Sequence, residues 1–438
     1  MRILSLILIL LLVSFSYASD VDDLVLQLPE VKKAHHELSA AYYDLKATYS
    51  QFGLNVDSFY RYSYNQPTVT VGLGPTRIRV SNDYNYNYGI QFNWLLYTFG
   101  VLENQIKSKE LIYYSKVLKY RQTVNDSYLK FYQLLYDFTK SCNLLDFSNN
   151  TLKYSEEFLN TSKRLYDVGI APKVDYLRAL SVYQDSLTQN SAAYQNYIIT
   201  TQNLYSFLFP NSNNYFLPNF VKKYIYYIDS DVIPKLPNEY KNPEELVVSQ
   251  ILYSNIISLL YQRRAVLAQS NPKLALSSQY VRQRPSGFSR DYSFNIILSL
   301  SWKIFDSGLV KNQAQSVEEQ ANALYQDYLR TIVNLYNSQR NVKSKYHIDY
   351  KMYKSYLYNL DFRKESFRLV KLKYENGLSS YLDYLDAQNS LLQTILNIKN
   401  SKNDLFWDLI NYSYLNDLNI TTRKISELIE RKINGEKK

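Results

Sequence analysis

This chain is poor in the residues that usually bridge, bend or catalyse. One cysteine in 438 residues, Cys142, excludes a disulfide framework, and its position inside a helical pattern suits a small packed hydrophobe. Three histidines (His35, His36 and His347) leave little for acid–base chemistry. Adjacent residues such as His35 and His36 point about 100° apart on a helix, so a surface pair is expected rather than a zinc site. No phosphate-cradling glycine loop and no credible nucleophile–base pair occur, so no catalytic residue, cofactor or metal is expected. Beyond the first residues there is no run of about eighteen apolar side chains, which excludes a transmembrane helix there but leaves membrane-spanning strands open.

What is abundant is tyrosine: 46 residues against ten glycines. Tyrosine tolerates an apolar side and a wet side at once, which suits an interface or wet-walled structure better than a dry core. The net charge of +10 is spread over both halves and enriched from Arg423 to Lys438. Without a compact basic-aromatic motif it favours a solvated or membrane-proximal surface over nucleic acid. Met1-Arg2, an apolar stretch from Ile3 to Phe15 and Ser16-Tyr17-Ala18 make residues 1–18 an expected secretory signal cut after Ala18.

Two stretches repeat at one offset of 208 residues. Trp94 and Trp302, Gly100 and Gly308, Asn104 and Asn312, Gln105 and Gln313 obey it, and so do the distant pairs Tyr166 and Tyr374, Gly169 and Gly377, Asp175 and Asp383. A duplication without net insertion over so long a span reads as a rod, because surface loops accept length changes and rods in register do not.

From Tyr84 to Leu96 the even positions are apolar or aromatic and the odd ones, Asn85, Asn87, Gly89, Gln91 and Asn93, are almost all polar. Tyr292 to Ile304 repeats that period-two pattern. Such strands are long enough to cross a bilayer at a tilt. Upstream partners at Leu54–Tyr64 and Leu274–Arg282 make two hairpins, about 54–97 and 274–304, closed by loops carrying Pro67, Gly72, Gly74 and Pro75, and Pro285 and Gly287. Four strands cannot close a barrel alone, so their apolar face needs lipid or other subunits.

After Gly100 the period changes to seven. Val117, Val124, Phe131, Phe138, Leu145, Leu152, Leu159 and Tyr166 form one seam, and Tyr325, Ile332, Gln339, Tyr346, Tyr353, Leu360, Phe367 and Tyr374 its counterpart. A second seam in the first half turns to serine at Ser127, Ser141, Ser148, Ser155 and Ser162, which permits close helix approach. Long helices over 101–168 and 309–376, each roughly 100 Å, are expected. Gly169 and Gly377 suit left-handed helix ends, and half-length return helices follow over 173–209 and 381–416. The domain plan is a first repeat 19–209, a connector 210–243, a second repeat 244–416 and a charged, mobile tail 417–438.

Helix, hairpin, heptad rod, glycine turn and half-length helix, twice over behind a secretory signal, resemble the TolC-like family of outer-membrane efflux and secretion channels. The resemblance covers essentially the whole mature chain and rests on the strands leading through Trp94 to Gly100 and Trp302 to Gly308, and on Tyr-x-x-Gly-hydrophobic turns followed by Asp175 and Asp383. It implies a mainly α fold with a membrane β-barrel portion: a homotrimer whose twelve-stranded β-barrel in outer-membrane lipid continues into a periplasmic α-helical barrel. It also implies a passive exit duct of a tripartite efflux pump or type I secretion system, with no enzyme activity. A periplasmic membrane-fusion adaptor, coupled to an inner-membrane pump, would meet the tips Val168, Gly169 and Ile170, and Asn376, Gly377 and Leu378. Asp383 and Asp386 would ring the periplasmic entrance and attract cations, although Ser380-x-x-Asp383 also reads as a helix capping box. Asp175 and Tyr374 match gate contacts, while Ser379 stands where the family places an arginine, implying a different or looser latch. The rival reading from the residues alone is a periplasmic coiled-coil scaffold that forms no pore.

Overall fold

A computed structural model of the chain describes residues 20–64, 66, 70–73, 75–79, 82–209, 221–222, 224–225, 233, 235–285, 290–376 and 378–425. The expected signal, most of the 210–243 connector, Gly377 and the tail beyond residue 425 lie outside the described residues. The elements are α1 (Asp20–Leu26), α2 (Pro29–Ser50), β1 (Leu54–Tyr64), β2 (Thr70–Leu73), β3 (Thr76–Arg79), β4 (Tyr84–Tyr97), α3 (Val101–Asp167), α4 (Lys173–Leu208), α5 (Val247–Leu267), β5 (Lys273–Gln283), β6 (Tyr292–Ser301), α6 (Leu309–Glu375) and α7 (Tyr381–Leu415). Helices α3 and α6 are 67 residues each, as the uninterrupted heptads predict. The chain forms two compact units, one from 34–120 and 247–331, the other from 1–33, 121–246 and 332–438, and each draws on both repeats.

The first of these units holds a four-stranded antiparallel sheet in the order β1-β4-β5-β6. The two hairpins are joined by β4 and β5, with Tyr88 opposite Arg282 and Trp94 opposite Leu276. Period-two patterning puts Leu54, Val56, Tyr60, Tyr62, Ile90, Phe92, Phe294, Ile296, Leu298 and Leu300 at the surface. That is a continuous apolar face, far larger than a lone soluble sheet leaves open. The first hairpin loop contains a ribbon, β2 against β3, where only a Pro/Gly loop was expected. Strand β6 stops at Ser301, short of the expected Ile304, because its partner β5 begins at Lys273, directly opposite Ser301. Ile304 and Phe305 are left exposed.

The second unit is helical. Its core includes Phe131, Tyr132 and Leu135 of α3 with Leu405, Phe406 and Ile410 of α7. The expected serine seam is buried at Ser141, Ser148, Ser155 and Ser162. Opposite it, α4 presents a small seam that sequence reading did not identify: Ala179, Ser186, Ala193 and Thr200, also seven apart. Ser141 Oγ lies 2.6 Å from Thr200 Oγ1, and antiparallel steps of seven from that contact set Ser148 against Ala193, Ser155 against Ser186 and Ser162 against Ala179. Ser148 and Ser155 donate to the carbonyls of Leu145 and Leu152, so their hydroxyls are buried with a partner. The lone polar member of the second heptad seam, Gln339, is also buried and donates to Leu415 O and Asn416 Oδ1 at the end of α7.

The expected mobile tail is corrected over its first part. Thr422, Ile420 and Ile425 are buried, and Asp22 of α1 accepts from Thr422 N at 2.9 Å and Thr422 Oγ1 at 2.7 Å. Asp22 thus caps the short helical turn at 422–425 from 400 residues away in sequence. No local pattern encodes such a cap.

Candidate functional site

The first helical turn is built from the end of α3. Gly169 takes φ +78°, its N–H donates to Tyr166 O, and Ile170 N donates to Leu165 O. This is a Schellman closure, which needs a left-handed residue that glycine adopts without steric cost. A Cβ on Gly169 would meet open space, so backbone conformation alone demands glycine. Val168 and Ile170 are 67% and 75% exposed, an apolar tip that nothing covers among the described residues. At the second turn Leu378 N donates to Lys373 O, the same bond at the 208-residue offset, and Leu378 is 78% exposed. Asn376 spends its side chain locally, donating Nδ2 to Leu372 O. Gly377 itself lies outside the described residues.

Asp383 sits in the first turn of α7. Its Oδ2 accepts from Ser380 Oγ at 2.8 Å, Ser380 N at 3.1 Å and Ser379 Oγ at 3.1 Å, while Asp383 N donates back to Ser380 Oγ. The capping box expected from Ser380-x-x-Asp383 is therefore formed. The Ser380 hydroxyl, then the Ser380 N–H and the Ser379 hydroxyl, hold the Asp383 carboxyl below the usual range, and the group is exposed. Asp386 is exposed one turn further on. Ser379, at the position where the resemblance led one to expect an arginine, is part of the cap.

Tyr374 and Asp175 are brought together. Burial raises the Tyr374 phenol, Ser162 opposes that shift, and the charge of Asp175 adds to it. Tyr374 packs 5.3 Å from the ring of Tyr384 and 6.0 Å from that of Phe158, and Phe158 stacks on Tyr381 at 3.7 Å. Phe158, Ala179 and Tyr381 form the buried centre of this cluster. Sequence reading missed Phe158, Tyr381 and Arg178. Arg178 Nη1 lies 3.8 Å from Asp175 Oδ1, three residues away on α4, a spacing at which helical ion pairs form. The Asp175 side chain is therefore met by an arginine after all, one turn along its own helix.

In the other unit, Trp94 and Trp302 anchor the strand-to-helix junctions by donating Nε1 to Phe52 O at 3.0 Å and Ser270 O at 2.9 Å. Gly100 and Gly308 have φ +107° and +83°, each preceded by another left-handed residue, Phe99 or Ser307. The helices that follow are capped differently: Thr98 Oγ1 accepts from Leu102 N, whereas Asp306 accepts from Gly308 N and Val310 N. Both devices satisfy the free N–H groups of a helix start. Among the described residues no group of three or more His, Cys, Asp and Glu is placed to hold a metal ion.

Residues 21–208 and 255–407 match the family described as outer membrane efflux protein, and the chain belongs to that family. Its fold is similar to the CmeC outer membrane channel of Campylobacter jejuni, at 13% identity over 94% of this chain and 88% of that one, with a TM-score of 0.76. It is likewise similar to VceC of Vibrio cholerae, at 12% identity over 91% of this chain and 96% of that one (TM-score 0.76), and to the outer-membrane channel OprN, at 15% over 92% and 90% (TM-score 0.75). A comparison with curated proteins finds no match. The chain is accordingly a non-enzymatic outer-membrane efflux channel that extends into the periplasm, and the pore-free scaffold reading is set aside.

Proposed function

We propose that three copies assemble edge to edge, β6 of one against β1 of the next, into a twelve-stranded barrel that serves as the exit duct of a tripartite pump. One observation carries this reading: the four-stranded sheet has outer strands β1 and β6 with no further strand beside either among the described residues, and an exposed apolar face. Lipid cannot satisfy open backbone edges, so a sheet in a membrane must close. Strand directions alternate across β1-β4-β5-β6, so β6 meets the next β1 antiparallel, and only repeated copies remove every edge.

The apolar tips at Val168, Gly169 and Ile170, and at Asn376, Gly377 and Leu378, are the adaptor-contacting surface, and the inner-membrane pump behind the adaptor sets the cargo. Asp175 and Tyr374, with Arg178, hold the closed state. Threefold symmetry brings Asp383 and Asp386 to one axis as a cation-attracting ring. The test is single-channel conductance of the detergent-purified protein together with its mass in detergent. A trimeric mass and a cation-selective pore are expected. Monomeric protein that stays in solution without detergent overturns the assembly. Asp383→Asn keeps an acceptor for the Ser380 cap while removing charge; unchanged selectivity in both Asp383→Asn and Asp386→Asn eliminates the ring and leaves the pore standing.

A further inference from the structure

The loop end of the sheet carries a cationic chemistry that the duct does not use. Lysine outnumbers arginine in the chain as a whole, yet residues 58–93 and 279–293 contain Arg61, Arg77, Arg79, Arg282, Arg284 and Arg290 and no lysine. Two of these stand on the apolar face. Arg282 lies opposite Tyr88 on one side and Tyr292 on the other, within the row of exposed tyrosines that rims that face. Arg284 follows two residues later, its N–H donating to Tyr86 O and its guanidinium 4.1 Å above the ring of Tyr84. Arg61, by contrast, lies opposite Asn87 and Asn87 opposite Gln283, so it belongs to the polar face, where it covers Phe59.

We propose that Arg282 and Arg284 form a binding site for phosphate-bearing lipid headgroups in the outer leaflet. The inference rests on the reading that this sheet spans the membrane with its apolar face toward lipid. The helices leave the sheet at its other end, toward the periplasm, so the tyrosine row at the loops lies at the outer interface, where aromatic girdles sit. Arginine suits this task better than lysine because its planar fork binds two phosphate oxygens and stacks on tyrosine without losing either function. Strand β5 is flanked by β4 and β6 of the same chain, so no chain-to-chain seam covers the site. Arg282 is 56% exposed, and its acidic neighbour Asp291 is 3.9 Å away, a loose pair that leaves the guanidinium able to meet a stronger anion.

The experiment uses the full-length protein in uncharged detergent, titrated with phosphatidic acid or with diacylglycerol of the same chains, bound lipid being read by native mass spectrometry. Saturable retention of phosphatidic acid over diacylglycerol is expected. It should fall about tenfold or more in the Arg282→Gln/Arg284→Gln double variant, fall less in Arg282→Lys/Arg284→Lys, and stay unchanged in Arg61→Gln. Equal loss in Arg61→Gln, full retention in the double glutamine variant, or complete displacement by millimolar inorganic phosphate would each overturn the site. The same preparations, diluted out of detergent, test the membrane reading separately. Protein that stays dispersed defeats that reading, whereas protein that precipitates while failing the lipid arms defeats only the lipid site.

Discussion

The two helical hairpins of the second unit share a plan and differ in what lies between their helices. Between α3 and α4 both faces of the seam are small, serine on one side and alanine, serine and threonine on the other. At the matching positions of the second hairpin, α7 keeps Ala387, Thr394, Ser401 and Asp408, but α6 carries Asp349, Tyr356, Arg363 and Val370. Its contacts are ionic and aromatic: Lys345 Nζ lies 2.7 Å from Asp408 Oδ1 and 3.1 Å from Asp349 Oδ2, and Tyr346 and Tyr353 cluster with Leu405. A small seam lets backbones close on each other and leaves little freedom. A large, charged seam holds by side chains that can regroup, the property a moving element needs. Duplication preserved length and topology here while the interface chemistry diverged.

The strands show the same divergence. Gly89 of β4 is replaced at the repeat offset by Ile297 of β6, and a Cβ at Gly89 would come within 2.0 Å of Tyr280 O in β5. Gly89→Ala is therefore expected to have the largest effect, about 3 kcal/mol or more by clash with backbone, seen as loss of the folded band in urea titration, whereas Ile297→Ala leaves the fold intact. Next, Ser155→Phe should cost about 1–3 kcal/mol by overpacking the small seam. Arg363→Phe, its counterpart across the repeat, should change stability by less than about 0.5 kcal/mol. Similar shifts in the two variants would dissolve the contrast between the hairpins.

The ionic seam predicts a pH dependence. Asp408 is buried, and burial pushes its carboxyl up to about 6, against the opposing pull of Lys345, while Asp349 adds to the rise. A carboxyl whose folded pKa exceeds its unfolded value takes up a proton on folding. Stability should therefore increase as pH falls from about 6 toward 4, and stay at its lower level above pH 6. The change is about 1–2 kcal/mol after allowing for the half-exposed lysine. Asp408→Asn should flatten that part of the thermal-midpoint profile, and a slope that survives the substitution would assign it elsewhere. A smaller loss than at Gly89 is expected at the tip: Gly169→Ala costs about 1 kcal/mol from its left-handed backbone alone, measured as a lower midpoint with conductance retained.

Much of this was legible because it is periodic. The alternation from Tyr84 to Leu96 announced β4, the heptads announced α3 and α6, and the glycine turns marked where they stop. The Ser380–Asp383 cap was legible as a local motif. The partner seam on α4 was written in the sequence too, at Ala179, Ser186, Ala193 and Thr200, but small residues carry no hydrophobic signal and went unread. Arg178 could have been found from its three-residue spacing to Asp175. Asp22 on Thr422, and Phe158 on Tyr381, were out of reach because each joins segments hundreds of residues apart whose meeting no period encodes.

By itself, then, the order of residues determined rods, strands, turns and their duplication, since each depends on neighbours within a few positions along one helix or strand. Which strand lies beside which, which carboxylate is buried against which lysine, and that Ile420, Thr422 and Ile425 are packed were decided by tertiary structure, where contact and desolvation act between groups the chain keeps far apart.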